Sequence, residues 1–453
     1  MSLTPASEYG ARPRVWFAAY QLLWHLLLPL AFIRLAWRSR HAFSYLHHIP
    51  ERLGFGYSKP VTKGVVWIHA VSVGETRAAQ PLIDAYLAKG ESILLTHMTL
   101  NGRRTGKQLF GKEIVAGKIR QVYLPYDLCW SVEHFLNTFA PKLGLFMETE
   151  AWPTVVFRCA DKGLPLFLVN ARLSERSARR VNQFGKAGRA LFQAFAGILA
   201  QTEFDAQRYR SLGVKDIEVV GNLKFDVPLD PALVKQGKAW QENLHASHRL
   251  MVCAASTRDG EEAIILKAWK DLLLNHAFDM PPLLCIVPRH PERFTEVADQ
   301  IHATGLKFRR RTEWQDIPKD NADLDVVLGD SMGEMPMYYS AADLVVMGGS
   351  LLRFGGQNLI EACAAGCPVL LGEHTYNFQQ ASIDALDAGA AKRIKGDLLL
   401  GEPIALMEAL KSLLLNPAEL AQMASAAKTY SVEHQGATNR IIAALDHQNF
   451  TLA

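Results

Sequence analysis

The alternation of short apolar runs with amphipathic stretches constrains this chain more than any other feature. Residues 65–68, 93–96, 121–123, 143–147, 166–170, 197–200 and 217–220 each form such a run, bounded by Gly, Pro or polar clusters. Helical patterns fall between them, for example over 78–89 and 151–162. Strands alternating with helices predict parallel βαβ units. The scheme repeats downstream, with runs at 250–255, 283–286, 326–328, 344–347 and 369–371, and the join is expected in the polar, proline-bearing stretch 226–249. The expected fold class is therefore α/β, with two doubly wound Rossmann-like halves facing across a cleft and ligands at the strand C-terminal ends. A length of 453 residues, 49% hydrophobic and 21% charged, fits two folded domains. The net charge of +4 gives no reason to expect a nucleic-acid partner.

The N-terminal stretch 15–33, VWFAAYQLLWHLLLPLAFI, contains one ionisable residue, His25. Its length is about that of a helix crossing the hydrocarbon core. Trp16, Tyr20 and Trp37 suit membrane interfaces, and Pro29 predicts a kink. Arg34, Arg38 and Arg40 after it outnumber Arg12 and Arg14 before it, which puts the bulk of the chain on the cytoplasmic side. No small-residue cleavage site follows, which argues against a cleaved signal. Crossing the membrane and lying in its surface are both open, and both anchor the chain.

Six scattered cysteines without a CxxC pair read as buried residues of a reducing compartment. No GxGxxG after a strand, P-loop or HExxH occurs, which removes nicotinamide, nucleoside-triphosphate and zinc-protease chemistry. The one DxD, Asp323-Leu324-Asp325, lies in a polar loop and reads as surface charge, not as a metal site.

The residues that carry chemistry gather at strand ends. In HAVSVGET (69–76) a strand runs into a turn and a helix start, which places Glu75 at a sheet edge, as a base kept ionised by the helix end or simply as a cap. In METEAWP (147–153), Glu148 and Glu150 point the same way if the backbone is extended. NARLSERS (170–177) and GNLKFD (221–226) follow, and Lys224 in the latter suits a carboxylate or phosphate. In the second half, AASTRDGEE (254–262) offers amides and hydroxyls to an anion, VPRHPER (287–293) puts Arg289 and His290 at a strand end, and GDSMGEM (329–335) is a glycine-bearing helix start. In the segment 348–378, a helix is expected to begin near Gln357-Asn358, with Asn358 and Glu361 on one face.

Together with LPYD (124–127), LKFD (223–226) and GGSL (348–351), these strings resemble the 3-deoxy-D-manno-octulosonic acid (Kdo) transferases of lipopolysaccharide synthesis, over residues 65 to 380. The resemblance implies a GT-B fold of three parts. These are an N-terminal membrane anchor (residues 1–40), an acceptor-binding domain (41–228) and a CMP-Kdo-binding domain (229–453). It implies metal-independent, inverting transfer of Kdo from CMP-Kdo to a lipid A precursor (lipid IVA), with no cofactor, at the bacterial inner membrane with its lipids as partners. Glu75 matches the family's general base, and Glu148 and Lys224 its charge-stabilising pair. Pro288, Arg289, Met332, Gly333, Glu334, Asn358, Leu359, Ile360 and Glu361 match its CMP-contacting positions. The chain departs from the family at Gln357-Asn358-Leu359-Ile360, where His-Asn-Pro-Leu is common, and at Arg258-Asp259, where His-Glu is common, which leaves the role of Arg258 open. Another nucleotide-sugar transferase or a UDP-sugar epimerase is the alternative, though a soluble epimerase has no use for the apolar N-terminal stretch.

Overall fold

The computed structural model describes residues 14–39, 48–58, 62–275, 278–314, 323–394 and 403–447. Arg12 and Arg40, and the anchor boundary expected at 40/41, lie outside them. The chain forms two compact units, one of Met1–Val227 with Gln435–Ala453 and the other of Pro228–His434. The expected join at 228/229 thus meets a division one residue earlier, but residues 435–453, assigned from sequence to the second domain, belong to the first unit. The reason is a tie across the chain: the Asp226 carboxylate accepts from the amides of Gly436 (2.7 Å) and Thr438 (2.6 Å) and from the Thr438 hydroxyl. Ile441, Ala444 and Leu445 of the helix that follows pack into the first unit's core. The stretch 226–249, read as a linker, contains the helix Pro231–Ala246.

The first unit is built on seven parallel strands: β1 (Val66–His69), β2 (Ile93–His97), β3 (Ile119–Tyr123), β4 (Leu143–Met147), β5 (Leu166–Ala171), β6 (Gly197–Ala200) and β7 (Ile217–Val219). Their order is β3-β2-β1-β4-β5-β6-β7. Strands β1, β2, β4, β5 and β6 are buried along their whole length, as continuous apolar runs covered by helices on both faces must be. After β1 the chain turns towards β2, and after β4 it turns the other way towards β5. The switch point, where connections diverge and leave a crevice at the C-terminal edge, therefore lies between β1 and β4.

The second unit repeats the plan with β8 (Met251–Thr257), β9 (Leu283–Pro288), β10 (Phe308–Arg310), β11 (Val326–Leu328), β12 (Leu344–Met347), β13 (Val369–Leu371) and β14 (Ala391–Arg393), in the order β10-β11-β9-β8-β12-β13-β14. Its switch point lies between β8 and β12. The edge strands β10 and β14 were not legible as strands, because three residues rich in Arg and Lys, half exposed, carry no apolar run. The helix expected over 78–89 is Gln80–Ala88, with Pro81 in its first turn, and a separate short helix, Val73–Ala78, precedes it.

Candidate active site

The site of the first unit forms at its switch point. Ser72, three residues beyond the β1 end, caps the helix Val73–Ala78 in a closed capping box: its hydroxyl accepts from the Glu75 amide (3.3 Å), and the Glu75 carboxylate accepts from the Ser72 amide (2.6 Å). Glu75 is both the cap and a buried carboxylate. Burial pushes it above the usual carboxylate range, the Ser72 amide pulls it back, and the charge of Glu148 pushes it up again. This corrects the expectation that the helix end alone keeps it ionised.

The floor beneath is polar and neutral. The Ala70–Ser72 turn rests on His97, whose Nδ1 lies 2.8 Å from the Ala70 carbonyl and whose Nε2 meets the Gln121 amide nitrogen at 2.9 Å. Because Gln121 donates there, Nδ1 carries the proton and donates to Ala70. His69, fully buried, holds Thr96 Oγ at 2.8 Å through Nδ1, and Thr96 also accepts from the Trp67 indole. Burial lowers His69 to about 3, so its ring is neutral.

Across the switch point, β4 ends at Met147 and Glu148 takes a left-handed backbone conformation (φ 54°). The sequence placed Glu148 and Glu150 on one side of an extended strand. The left-handed turn separates them instead: Glu148 accepts from Lys224 Nζ at 2.7 Å, and Glu150 accepts from the Trp152 indole at 2.8 Å, with its Oε2 4.0 Å from His69 Nε2. Lys224 is held there by Asn170 at the end of β5, whose side chain accepts from the Leu223 amide (3.0 Å), while Asn222 accepts from the Lys224 amide (3.0 Å). Asn170 is itself left-handed and buried, and Gln201 donates to its carbonyl (2.9 Å). Glu75, Glu148 and Lys224, scattered over the sequence, are thus brought to one edge. Asn170, Gln201 and His69 serve this site without having been singled out individually. Their only sequence signal is their position at strand ends.

Glu150 is pushed up to about 7 by burial, by the adjacent Glu75 charge and, more weakly, by Glu148, against the Trp152 N–H. Between the ordinary glutamate value and about 7, the folded protein keeps a proton that the unfolded chain has lost. Stability therefore falls as pH rises through that window, by about 3 kcal/mol in all. Denaturant unfolding at pH 5 and pH 8 is expected to show this loss in the wild type and a flatter profile in Glu150→Gln. Equal slopes would mean that Glu150 titrates normally.

In the second unit the expected nucleotide positions line the C-terminal edge of the sheet. Pro288 ends β9, and the Arg289 amide donates to the Thr257 carbonyl (3.0 Å) while its side chain is exposed. Met332 is exposed, Gly333 turns left-handed, and Glu334 pairs with Arg311 at 3.0 Å. Asn358 donates to Glu361 (3.0 Å) and accepts from the Ile360 amide (3.2 Å), so the helix begins at Ile360, later than expected. Leu359 and Ile360 are buried, which leaves their backbone, not their side chains, for a ligand. The Arg258 amide and the Thr257 hydroxyl, part of what AASTRDGEE was expected to offer an anion, are taken. Buried Glu261 accepts from Arg258, Gly349, Leu351 and Leu352 at 2.7–3.2 Å, and Thr257 donates to Glu262. Glu261 fixes the glycine loop across the switch point. Arg258 lies over the Phe354 ring, 4.8 Å from its centroid, with Nη1 3.1 Å from His290 Nε2. In the DxD, Asp325 accepts from the Lys307 amide (2.8 Å).

Residues 47–227 match the family model described as 3-deoxy-D-manno-octulosonic-acid transferase (kdotransferase). The chain is 43% identical to the 3-deoxy-D-manno-octulosonic acid transferase of Bordetella pertussis, over 94% of this chain and 98% of that one. The chain belongs to the Kdo transferase family. A second member, from Haemophilus influenzae, is 33% identical over 94% of this chain and 97% of its own length. Membership makes the protein a glycosyltransferase. Among solved structures, the UDP-GlcNAc 2-epimerase of Neisseria meningitidis bound to UDP-GlcNAc matches with a TM-score of 0.56 at 14% identity, over 84% of this chain and 99% of that one. At that identity the likeness concerns the fold alone, the GT-B type with two Rossmann-like units. The epimerase alternative is set aside by family membership.

Proposed function

We propose that this transferase moves Kdo from CMP-Kdo to a lipid A precursor in lipopolysaccharide synthesis, with inversion and without a metal ion. The observation that carries the reading is the switch-point cluster: a buried carboxylate, Glu75, beside a carboxylate–ammonium pair, Glu148–Lys224. Glu75 takes the proton from the acceptor hydroxyl as its oxygen attacks the ketosidic carbon, and the bond to CMP breaks in the same displacement. Lys224, oriented by Glu148, faces the donor carboxylate and the charge that develops as the bond breaks. CMP is held by the second unit, where Arg289 meets the phosphate and the Asn358–Glu361 turn and the Met332–Glu334 loop meet the nucleoside. A leaving group with one phosphate carries little charge, which Arg289 meets without a divalent ion. The apolar N-terminal helix holds the enzyme at the inner membrane, catalytic units on the cytoplasmic side, where a lipid-linked acceptor is concentrated.

The test is transfer from CMP-Kdo to a tetra-acylated lipid A precursor in EDTA. Product whose mass grows by whole Kdo units supports the donor, the acceptor and metal independence together, and its anomeric configuration reports inversion. Product that forms only after magnesium is restored would remove metal independence. No product from folded protein in either buffer would send the search to other acceptors.

A further inference from the structure

The N-terminal helix Arg14–Ser39 does not stand apart from the first unit. One face lies along it, and the contacts recur at helical spacing. Phe17 meets Phe157 edge-on (5.9 Å between centroids), Trp24 meets Tyr126 (5.7 Å) and Trp152 (6.4 Å), and Phe32 meets Tyr126 (6.3 Å). Leu35, one turn further, is buried. Amid these rings sits a polar latch. Tyr20 donates to the Asp127 carboxylate (2.7 Å). Gln21 uses both ends of its amide, donating to Thr154 Oγ (2.6 Å) and the Asp127 carbonyl (3.1 Å) and accepting from the Cys129 amide (3.0 Å). Asp127 is fully buried, and its carboxylate also takes the Thr154 and Val155 amides (2.8 and 3.0 Å).

The opposite face is a stripe of exposed apolar side chains, Leu22, Leu23, Leu26, Leu30, Ile33 and Trp37, flanked by exposed Arg34. The stretch Val15–Trp37 is long enough to cross a bilayer. Doing so would pull Tyr20 and Gln21 off the latch into hydrocarbon, where a polar group without a partner is costly. It would also leave buried Asp127 short of a donor. A helix docked along its length can meet lipid only sideways, through its outer stripe.

Resting on the membrane reading above, we propose that this helix is an in-plane contact with one leaflet and not a transmembrane span. Its leucine stripe enters the acyl boundary, and Arg34 meets anionic head groups. The placement has a catalytic consequence. Trp24 of the helix packs on Trp152, and Trp152 donates to Glu150 beside Glu75, so the helix whose outer face meets the leaflet is joined to the catalytic cluster through two side chains. A lipid-anchored acceptor reaches the base without leaving the membrane surface.

The test uses full-length protein in sealed spheroplasts and in inverted vesicles, carrying either Ser7→Cys before the helix or Val115→Cys, an exposed position of the catalytic unit. An impermeant PEG-maleimide is applied with the wild type as background. Both cysteines are expected to be modified from the same face of the membrane. Modification from opposite faces would establish a span and overturn the proposal. Flotation with lipid vesicles separates the underlying reading: wild type is expected to float, and Leu22→Glu/Leu26→Glu/Leu30→Glu is expected to remain at the bottom with unchanged melting. Wild type that does not float removes the membrane reading itself.

Discussion

Glu75→Gln is expected to lower transfer about 10²- to 10⁴-fold, the usual contribution of a positioned general base. The substitution is chosen because it leaves the local structure standing. The glutamine amide oxygen can still accept from Ser72 N–H, so the capping box persists and melting is expected to hold close to wild type. An alanine there would lose cap and base together and confuse the two. Because burial raises Glu75, the acidic limb of the wild-type rate profile should lie above the ordinary glutamate range, with activity rising as pH rises through it. A glutamine variant that turns over at the wild-type rate would leave Glu75 as a cap only.

The second large effect is expected at Lys224. Lys224→Ala strips Glu148 of the ammonium 2.7 Å away while leaving the carboxylate mostly buried. Breaking such a pair from one side costs about 3–5 kcal/mol, visible as a lower denaturation midpoint. Loss of transfer in that variant alone is uninformative, since the fold is weakened. Lys224→Met with Glu148→Gln removes both charges and is expected to recover much of the stability. Transfer should stay low in the double variant, because no cation then meets the donor carboxylate. A double variant that regained transfer with stability would make the pair a structural device.

Much of the architecture was written in local patterns. Twelve of the fourteen strands lie within two residues of where apolar runs and turn residues put them, because parallel strands covered on both faces need nothing but apolar side chains. The strands β10 and β14 escaped because an edge strand of three residues shows no such run. The return of the last helix to the first unit was equally invisible. It depends on Asp226 meeting amides more than two hundred residues later, a contact that no window of sequence contains.

The same division runs through the site. Sequence alone determined the chemical inventory and its location. A Ser-x-x-Glu cap after a strand, a Met-Glu-Thr-Glu strand end and a lysine after a glycine turn each follow from short-range rules of strand ends and helix starts. Only the tertiary structure decided which groups act on one another. The order of the parallel sheet sets β1 beside β4, and that adjacency brings Glu75 into the field of Glu148. The left-handed turn at Glu148 sends it to Lys224 and leaves Glu150 to Trp152 and His69. Charge and burial are properties of the surroundings, and those surroundings are assembled from segments far apart in the chain. A sequence can name a carboxylate, but the field that sets its proton affinity exists only once the sheet has formed.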